Sequence, residues 1–185
     1  MPTLEKDNIS EIALEVISDN VAAIKSYESI GFNLTRKLSC FKGEVFTKQI
    51  NLETKIKQTN SGNFDEFEQF GEINPTWQNS KETIQNLGDG ATFFLAFMED
   101  KLCGYCILNS NNNRILQIAV KKQMRNKLIG SSMLQSLTNK ISAPISIINV
   151  DNRFKETLKF FENRNMKNTL NQNEMKLKMS SRARK

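Results

Sequence analysis

The chain has 185 residues, of which 38% are hydrophobic and 25% are charged, with a formal net charge of +6. These values fit one globular domain, or one domain with an appendage, and no apolar run approaches the length of a membrane span. The first residues lack the basic and apolar segments of a secretory signal, so we expect a cytoplasmic protein.

Two residue types restrict the possible chemistry. Histidine is absent, which excludes serine–histidine, cysteine–histidine and histidine–metal mechanisms. Cys103 and Cys106 form a CxxC pair in "KLCGYC", which is compatible with a redox pair, half a zinc site or two buried strand cysteines. We favour buried cysteines because no second CxxC and no histidine would complete a zinc site, and we expect no metal.

In chain order, residues 14–50 predict a strand, a helix and two further strands. The helix is expected to start after the Asp19-Asn20 cap and to stop at Gly31, and the last two strands to form a hairpin around Lys42-Gly43. Residues 51–63 are polar and contain "TNSGN", which predicts a linker.

From residue 64 onward the pattern predicts helix, helix, three strands, helix, strand, helix and strand, which favours a mixed α/β sheet with helices on both faces. Phe64, Phe67 and Phe70 recur at a spacing of three and are expected in the core. Trp77 lies in a polar loop and is a candidate for a substrate pocket.

The segment "LEVISDNVAAIKSYESIGFNLT" has a partner later in the chain. When Val16 is aligned with Val150, Lys25, Glu28 and Thr35 fall on Lys159, Glu162 and Thr169 without a gap. The two strand–helix–strand segments therefore predict an internal repeat about one domain apart.

Two motifs resemble the GNAT N-acetyltransferase family. "ILQIAVKKQMRNKLIGSSMLQSL" is similar to its acetyl-CoA-binding segment, a strand followed by Arg/Gln-x-x-Gly-x-Gly/Ala at the start of a helix. "LEVISDNVAAIKSYESIGF" is similar to a downstream segment, roughly N-x-x-A-x-x-x-Y-x-x-x-G-F, and "INVDNRFKETLKFFENRNM" is a weaker version of it.

The resemblance implies a mixed, mostly antiparallel sheet flanked by helices, plus an N-terminal strand–helix–hairpin piece of a second unit. We accordingly expect residues 1–50 to be the C-terminal part of an incomplete GNAT-like domain, 51–63 a linker, 64–180 a complete domain and 181–185 a basic tail. The chain would then resemble a tandem GNAT protein that is cut within its first domain.

The resemblance also implies residues that bind acetyl-CoA. The end of one strand would pair with the pantetheine arm, the loop and helix start would hold the pyrophosphate, and a residue on the next strand would contact the cofactor. These residues are Ile118, Ala119 and Val120; Arg125, Lys127, Leu128, Ile129, Gly130 and Ser131; and Asn149. A strand that leads into a helix N-terminus suits a pyrophosphate in any case, because it presents free amides and the positive end of the helix dipole.

The sequence departs from the family pattern at three positions. Leu128 replaces the first family glycine, which a right-handed helical φ at that position would allow. Phe161 replaces the tyrosine that protonates the leaving thiolate, and Tyr27 is its equivalent in the incomplete copy. Gln117 stands where some members carry a basic carboxylate.

Three functions are compatible with these observations. The leading one is direct transfer of an acetyl group from acetyl-CoA to a primary amine of a small molecule or peptide, with Tyr27 as a weak catalytic candidate. The second is a degenerate, non-catalytic GNAT module that binds acyl-CoA or a protein. A nucleic-acid binder using "KKQMRNKLIGSSML" is not favoured, because aromatic stacking platforms and a basic stripe are missing. We also expect the N-terminal piece to dock on the complete domain or to exchange with a second chain in a homodimer.

Overall fold

The computed structural model describes residues 9–70, 74–141 and 143–179, which form an eight-stranded sheet with helices on both faces. The strands are β1 (Glu11–Ile17), β2 (Asn33–Gly43), β3 (Lys55–Thr59), β4 (Ala91–Met98), β5 (Lys101–Asn109), β6 (Arg114–Val120), β7 (Ile145–Asp151) and β8 (Lys167–Lys178). The α-helices are α1 (Val21–Ser29), α2 (Phe64–Glu68), α3 (Lys81–Asn86), α4 (Ile129–Thr138) and α5 (Lys155–Glu162). The basic tail expected at 181–185 lies outside the described residues.

The strand order across the sheet is β1-β8-β2-β7-β6-β5-β4-β3. Only β6 and β7 are parallel among the strand pairs of the described chain. The predicted fold class, a mixed and mostly antiparallel sheet flanked by helices, is therefore confirmed. No helix in the described ranges is both long and apolar enough to cross a bilayer.

The core is divided among three clusters of buried apolar side chains. The largest lies between the sheet and α4 with α5, and contains Met133, Leu134 and Phe161. A second cluster lies under α2 and α3 and contains Phe67 stacked on Tyr105, with ring centroids 4.0 Å apart. A small third cluster packs α1 on the β1–β8 end of the sheet.

Strands β2 and β8, which end the two similar segments, pair with each other in a symmetric, two-fold arrangement. Leu38 of β2 faces Gln172 of β8, and these two positions differ by the same 134 residues that separate Glu15 from Asn149. Adding 134 to the residue number on β2 and subtracting 134 from the number on β8 converts each pair on one side of this centre into a pair on the other side. Arg36–Glu174 thus corresponds to Cys40–Leu170, and Asn33–Lys176 corresponds to Lys42–Lys167.

The two register shifts between β2 and β8 are related by the same two-fold symmetry. Thr35 and Thr169 are the extra residues at the two register shifts between β2 and β8. Thr35 Oγ1 donates to the Glu174 carbonyl at 3.1 Å, and Thr169 Oγ1 donates to the Cys40 carbonyl at 3.3 Å. As a result, β2 lies between β7 and β8, and the N-terminal segment completes one sheet with the rest of the chain.

Two expectations about the N-terminal half are wrong. Residues 51–63 are not only a linker, because β3 lies within them and pairs with β4 at the edge of the sheet. No hairpin forms around Lys42-Gly43, because β2 ends at Gly43 and the following residues cross α4, where Asn51 N bonds to Ser132 Oγ at 3.0 Å. Gly43 is needed for close packing, since a Cβ there would overlap the Asn165 carbonyl oxygen.

The CxxC pair is buried in β5, and Cys40, Cys103 and Cys106 are free thiols. A register shift between Ala96 and Phe97 lies opposite Cys103. A bulge of this kind reverses the alternation of side chains, so Cys103 and Cys106 both join the cluster under α4. Burial raises the pKa of all three thiols. Cys103 and Cys106 are therefore core side chains, as favoured from the sequence, and Cys40 is buried as well.

Candidate functional site

A cleft of about 750 Å³ opens between the parallel strands β6 and β7. These strands pair only at Arg114–Ser146 and Ile115–Ile147, and then separate. Asn149 has φ +62° next to a register irregularity between β7 and β2, and a bulge of this kind bends a strand away from its neighbour. The cleft-facing edge of β6 from Leu116 to Val120 is therefore left without a strand partner, and Ile118, Ala119 and Val120 line the cleft.

The N-terminus of α4 points its free amides at this cleft. The first intrahelical bond joins Ser132 N to Leu128 O at 3.0 Å, and no side chain caps the helix. The amides of Ile129, Gly130 and Ser131 come before that bond, so the helix gives them no acceptor, and all three residues line the cleft. Free amides and the positive helix dipole favour an anion here.

Basic side chains surround the same region. The cleft is lined by Arg125, Arg153, Lys155 and Arg164, against the acidic Asp151 and Glu156. Arg164 Nη2 donates to Ser131 Oγ at 2.6 Å, and its guanidinium lies 3.7 Å from the centroid of the Phe160 ring. Burial lowers the pKa of Arg164, and its buried Nε has no hydrogen-bond partner. A phosphate-bearing ligand would offset both effects.

The loop from Asn74 to Ser80 ties the two separated strands together. Gln117 on β6 donates to the Asn79 carbonyl at 2.7 Å, and Asn79 Nδ2 donates to the Ile148 carbonyl on β7 at 3.2 Å. Tyr105 donates to Gln117 at 3.1 Å, and burial raises the pKa of Tyr105, so its hydroxyl stays protonated as a donor. Gln117 therefore holds the loop in place.

Two amide oxygens in the cleft wall have no partner. Asn79 is 4% exposed and Asn149 is 7% exposed, and the Oδ1 atom of each is buried without a hydrogen bond. Asn149 Nδ2 donates to Thr76 Oγ1 at 3.0 Å, which fixes the amide plane. Such orphaned acceptors cost free energy and mark places where a ligand can donate a hydrogen bond.

The comparison with protein families agrees with this geometry. Residues 56–178 match the family model described as an acetyltransferase (GNAT) domain. The chain belongs to the GNAT family. No curated protein matches the sequence.

Solved structures share the GNAT fold at low sequence identity. A functionally unknown conserved protein from Staphylococcus epidermidis has a TM-score of 0.68 at 9% identity, with 97% of this chain and 77% of that chain covered. A GCN5-related N-acetyltransferase from Kribbella flavida has a TM-score of 0.66 at 7% identity, with 95% and 71% covered. A tandem GNAT protein from the clavulanic acid biosynthesis pathway has a TM-score of 0.61 at 8% identity, with 96% and 66% covered.

The structure brings most residues expected at the GNAT cofactor site together in the cleft wall. These are Ile118, Ala119, Val120, Arg125, Leu128, Ile129, Gly130, Ser131 and Asn149. Lys127 is not part of the wall; its carbonyl accepts from Asn51 Nδ2 at 2.9 Å. Trp77, the candidate for a substrate pocket, is also not part of the wall; it lies on the loop from Asn74 to Ser80 with 57% of its surface exposed.

Neither Tyr27, the catalytic candidate, nor Phe161, its equivalent in the later segment, lines the cleft. Tyr27 packs in the cluster under α1, with its ring centroid 5.7 Å from that of Phe32. Phe161, at the position equivalent to Tyr27, is fully buried against Phe41. Thr157 is the hydroxyl-bearing residue of α5 that lines the cleft, one turn before Phe161.

Leu128, which replaces the first family glycine, has a left-handed backbone conformation with φ +59° and ψ +11°. The condition under which leucine would be allowed there, a right-handed helical φ, is therefore not met. The left-handed conformation favours glycine, because a Cβ approaches the following carbonyl oxygen. The side chain is 38% exposed and stands at the mouth of the anion site.

Gly130, the family glycine that is kept, has a separate steric reason. A Cβ at this position would lie 2.9 Å from the Phe160 ring. Phe160, with Arg164 stacked on it, therefore covers the first turn of α4. This packing could not be predicted from local patterns, because Gly130 and Phe160 lie on different helices.

Proposed function

We propose that this chain is an N-acetyltransferase that moves an acetyl group from acetyl-CoA to a primary amine by direct attack. The observation that carries the proposal is the set of free amides at Ile129, Gly130 and Ser131, facing a cleft beside the unpaired edge of β6. Acetyl-CoA, when bound, supplies an activated thioester.

The residues of the cleft suit each part of such a ligand. The amides at the start of α4, with Arg125 and Arg164, bind the phosphates, and the free edge of β6 at Ile118 to Val120 pairs with the amides of the pantetheine arm. Asn149 Oδ1, a buried acceptor without a partner, receives an N–H from the ligand. These contacts position the thioester, and positioning is a large part of the catalysis of acyl transfer.

The amine attacks in its neutral form. Its proton leaves through water or a carboxylate, and the thiolate is protonated by water or by another group, because Phe161 cannot donate a proton. The proposal includes a cytoplasmic location, where Cys40, Cys103 and Cys106 remain reduced thiols.

A second candidate is a non-catalytic module that binds acyl-CoA. It is favoured by Leu128, whose side chain stands at the anion site, and by the Phe160 ring over Gly130. Both features narrow the place where phosphate would bind.

Two measurements separate these functions. Calorimetry with acetyl-CoA tests binding, and release of free thiol in the presence of small amines and polyamines tests turnover. Binding with thiol release supports the transferase, and binding without release supports the module. Absence of binding would reject both.

A further inference from the structure

The carboxylate of Glu15 is held beside the cleft by three neutral donors. Trp77 Nε1 donates to Glu15 Oε2 at 2.6 Å, and Gln78 Nε2 donates to the same oxygen at 3.2 Å. Asn149 Nδ2 lies 3.5 Å from Glu15 Oε1, so Glu15 is joined to the cleft wall. Glu15 comes from β1, far from the acetyl-CoA motif in sequence, and it is only partly buried.

Within the part of the chain that the structure describes, no cation pairs with Glu15. The buried carboxylate of Glu174, which faces Glu15 across β1 and β8, pairs with Arg36. Asp151 pairs with the largely exposed Arg153. Glu15 is therefore a net negative charge at this end of a chain whose overall charge is +6.

The unsatisfied atoms at Glu15 and at its neighbour Asn149 are acceptors. Asn149 Oδ1 is buried without a partner, and Glu15 Oε1 has only the long contact to Asn149 Nδ2. Trp77 adds an aromatic surface that is 57% exposed. A primary ammonium group has three donors and no acceptor, and it is attracted both to carboxylates and to the face of tryptophan.

We infer that Glu15 and Trp77 form an ammonium-binding subsite that selects cationic primary amines as acceptors. This inference rests on the proposed function, because it names the class of acceptor for the same cleft. Glu15 binds the charge, Trp77 packs against the carbon atoms next to the nitrogen, and Asn149 connects the subsite to the wall where the acetyl donor binds. The N-terminal segment thus contributes a specificity residue as well as two strands.

The test uses the single tryptophan of the chain as a direct reporter. The emission of Trp77 in the full chain is measured while 1,4-diaminobutane is added at constant ionic strength, without acetyl-CoA. We expect a saturable change with the diamine and none with 1,4-butanediol. Glu15→Gln should weaken the apparent affinity by about tenfold or more, as expected for the loss of one charge-assisted hydrogen bond.

Glu11→Gln is the matched control, because Glu11 lies on the same strand but pairs with Lys176 at the sheet edge. It should bind the diamine as the unmodified chain does, and thermal melts should show that both variants are folded. Equal responses to the diamine and the diol, or equal affinity in Glu15→Gln, would overturn the inference.

Failure of the proposed function gives a different result. Diamine binding without any thiol release would reject the transferase and leave the ammonium subsite supported. Thiol release with an unchanged KM for the diamine in Glu15→Gln would reject the subsite and support the transferase.

Discussion

Arg36 and Glu174 face each other across β2 and β8, and the arginine Nε and Nη2 donate to the two carboxylate oxygens at 2.7 and 2.5 Å. Both side chains are at least nine-tenths buried. Arg36 Nη1 also lies 3.6 Å from Asp151, a residue of the cleft wall, and donates to the Asn74 carbonyl at 2.6 Å. One guanidinium thus connects the N-terminal segment, the last strand, the cleft wall and the loop from Asn74 to Ser80.

Replacement of Arg36 by methionine should strongly destabilise the fold. It keeps much of the side-chain volume but leaves the buried Glu174 carboxylate without its partner, a loss of about 3–5 kcal/mol in the free energy of unfolding. Urea unfolding followed by circular dichroism measures it. Lys55→Met is the control, because Lys55 and Asp100 form an exposed pair, and it should cost at most about 1 kcal/mol. Similar losses in the two variants would contradict this account.

Stability should fall at acidic pH because of the same group of charges. Burial alone would raise the pKa of Glu174, but hydrogen bonds from Arg36 and Thr35 outweigh it and hold that pKa below its usual value. The pKa of Asp151 is likewise low, because hydrogen bonds from Arg153 outweigh its burial. The unfolded chain therefore binds more protons than the folded chain in this range.

The contribution of both carboxylates is fully present above their unfolded pKa values of about 4 and is lost as the pH falls through the lower folded values. Urea midpoints between pH 7 and pH 3 measure this loss. Glu174→Gln should be less stable at pH 7 and should show a shallower decline with acid. An unchanged slope in this variant would show that Glu174 does not titrate in the way described.

Leu128→Gly should increase both stability and phosphate access. Glycine relieves a left-handed conformation that costs about 1–2 kcal/mol for other residues, although part of this gain is lost to the greater freedom of glycine in the unfolded chain. We expect a net gain of about 0.5–1 kcal/mol in thermal unfolding. Removal of the side chain also opens the α4 amides, so acetyl-CoA should bind more tightly in calorimetry.

Asn126→Gly is the control for that substitution. Asn126 has a similar φ of +61°, but asparagine tolerates this conformation, so the gain in stability should be smaller. If Asn126→Gly stabilised the chain as much as Leu128→Gly, strain at Leu128 would not be the cause.

Removal of residues 1–43 should prevent cooperative folding. β7 would lose β2, and β8 would lose both of its neighbours, so backbone donors and acceptors along two strands would become exposed. We expect aggregation in light scattering and no sharp thermal transition. A truncated chain that is monomeric and melts sharply would refute this prediction.

Light scattering of the full chain also tests the predicted homodimer through exchange of the N-terminal piece.

The order of most helices and strands followed from the sequence because it depends on local periodicity. The helix at residues 129–138 and the buried strand that follows it are examples of such local patterns. The acetyl-CoA motif similarly located the cleft, since a strand and a helix start that are adjacent in sequence must be adjacent in space.

Features that depend on distant contacts could not be predicted in this way. Gly43 resembled a turn residue, but its small size serves the approach of Asn165. Glu15 looked like one of many surface carboxylates, and its role depends on Trp77 and Asn149, which β1 meets only after the sheet has formed. The left-handed φ of Leu128 could not be predicted from the residue type, because leucine rarely adopts this conformation.

The insertion of β2 between β7 and β8 also has a consequence for synthesis of the protein. β2 leaves the ribosome roughly 100 residues before either of its sheet partners, which corresponds to about 5–20 s at usual translation speeds. During this interval its backbone groups are open to pairing with other nascent chains. Arg36, Lys37 and Lys42 place positive charge along the strand, and such charges discourage unwanted strand pairing until β8 is complete.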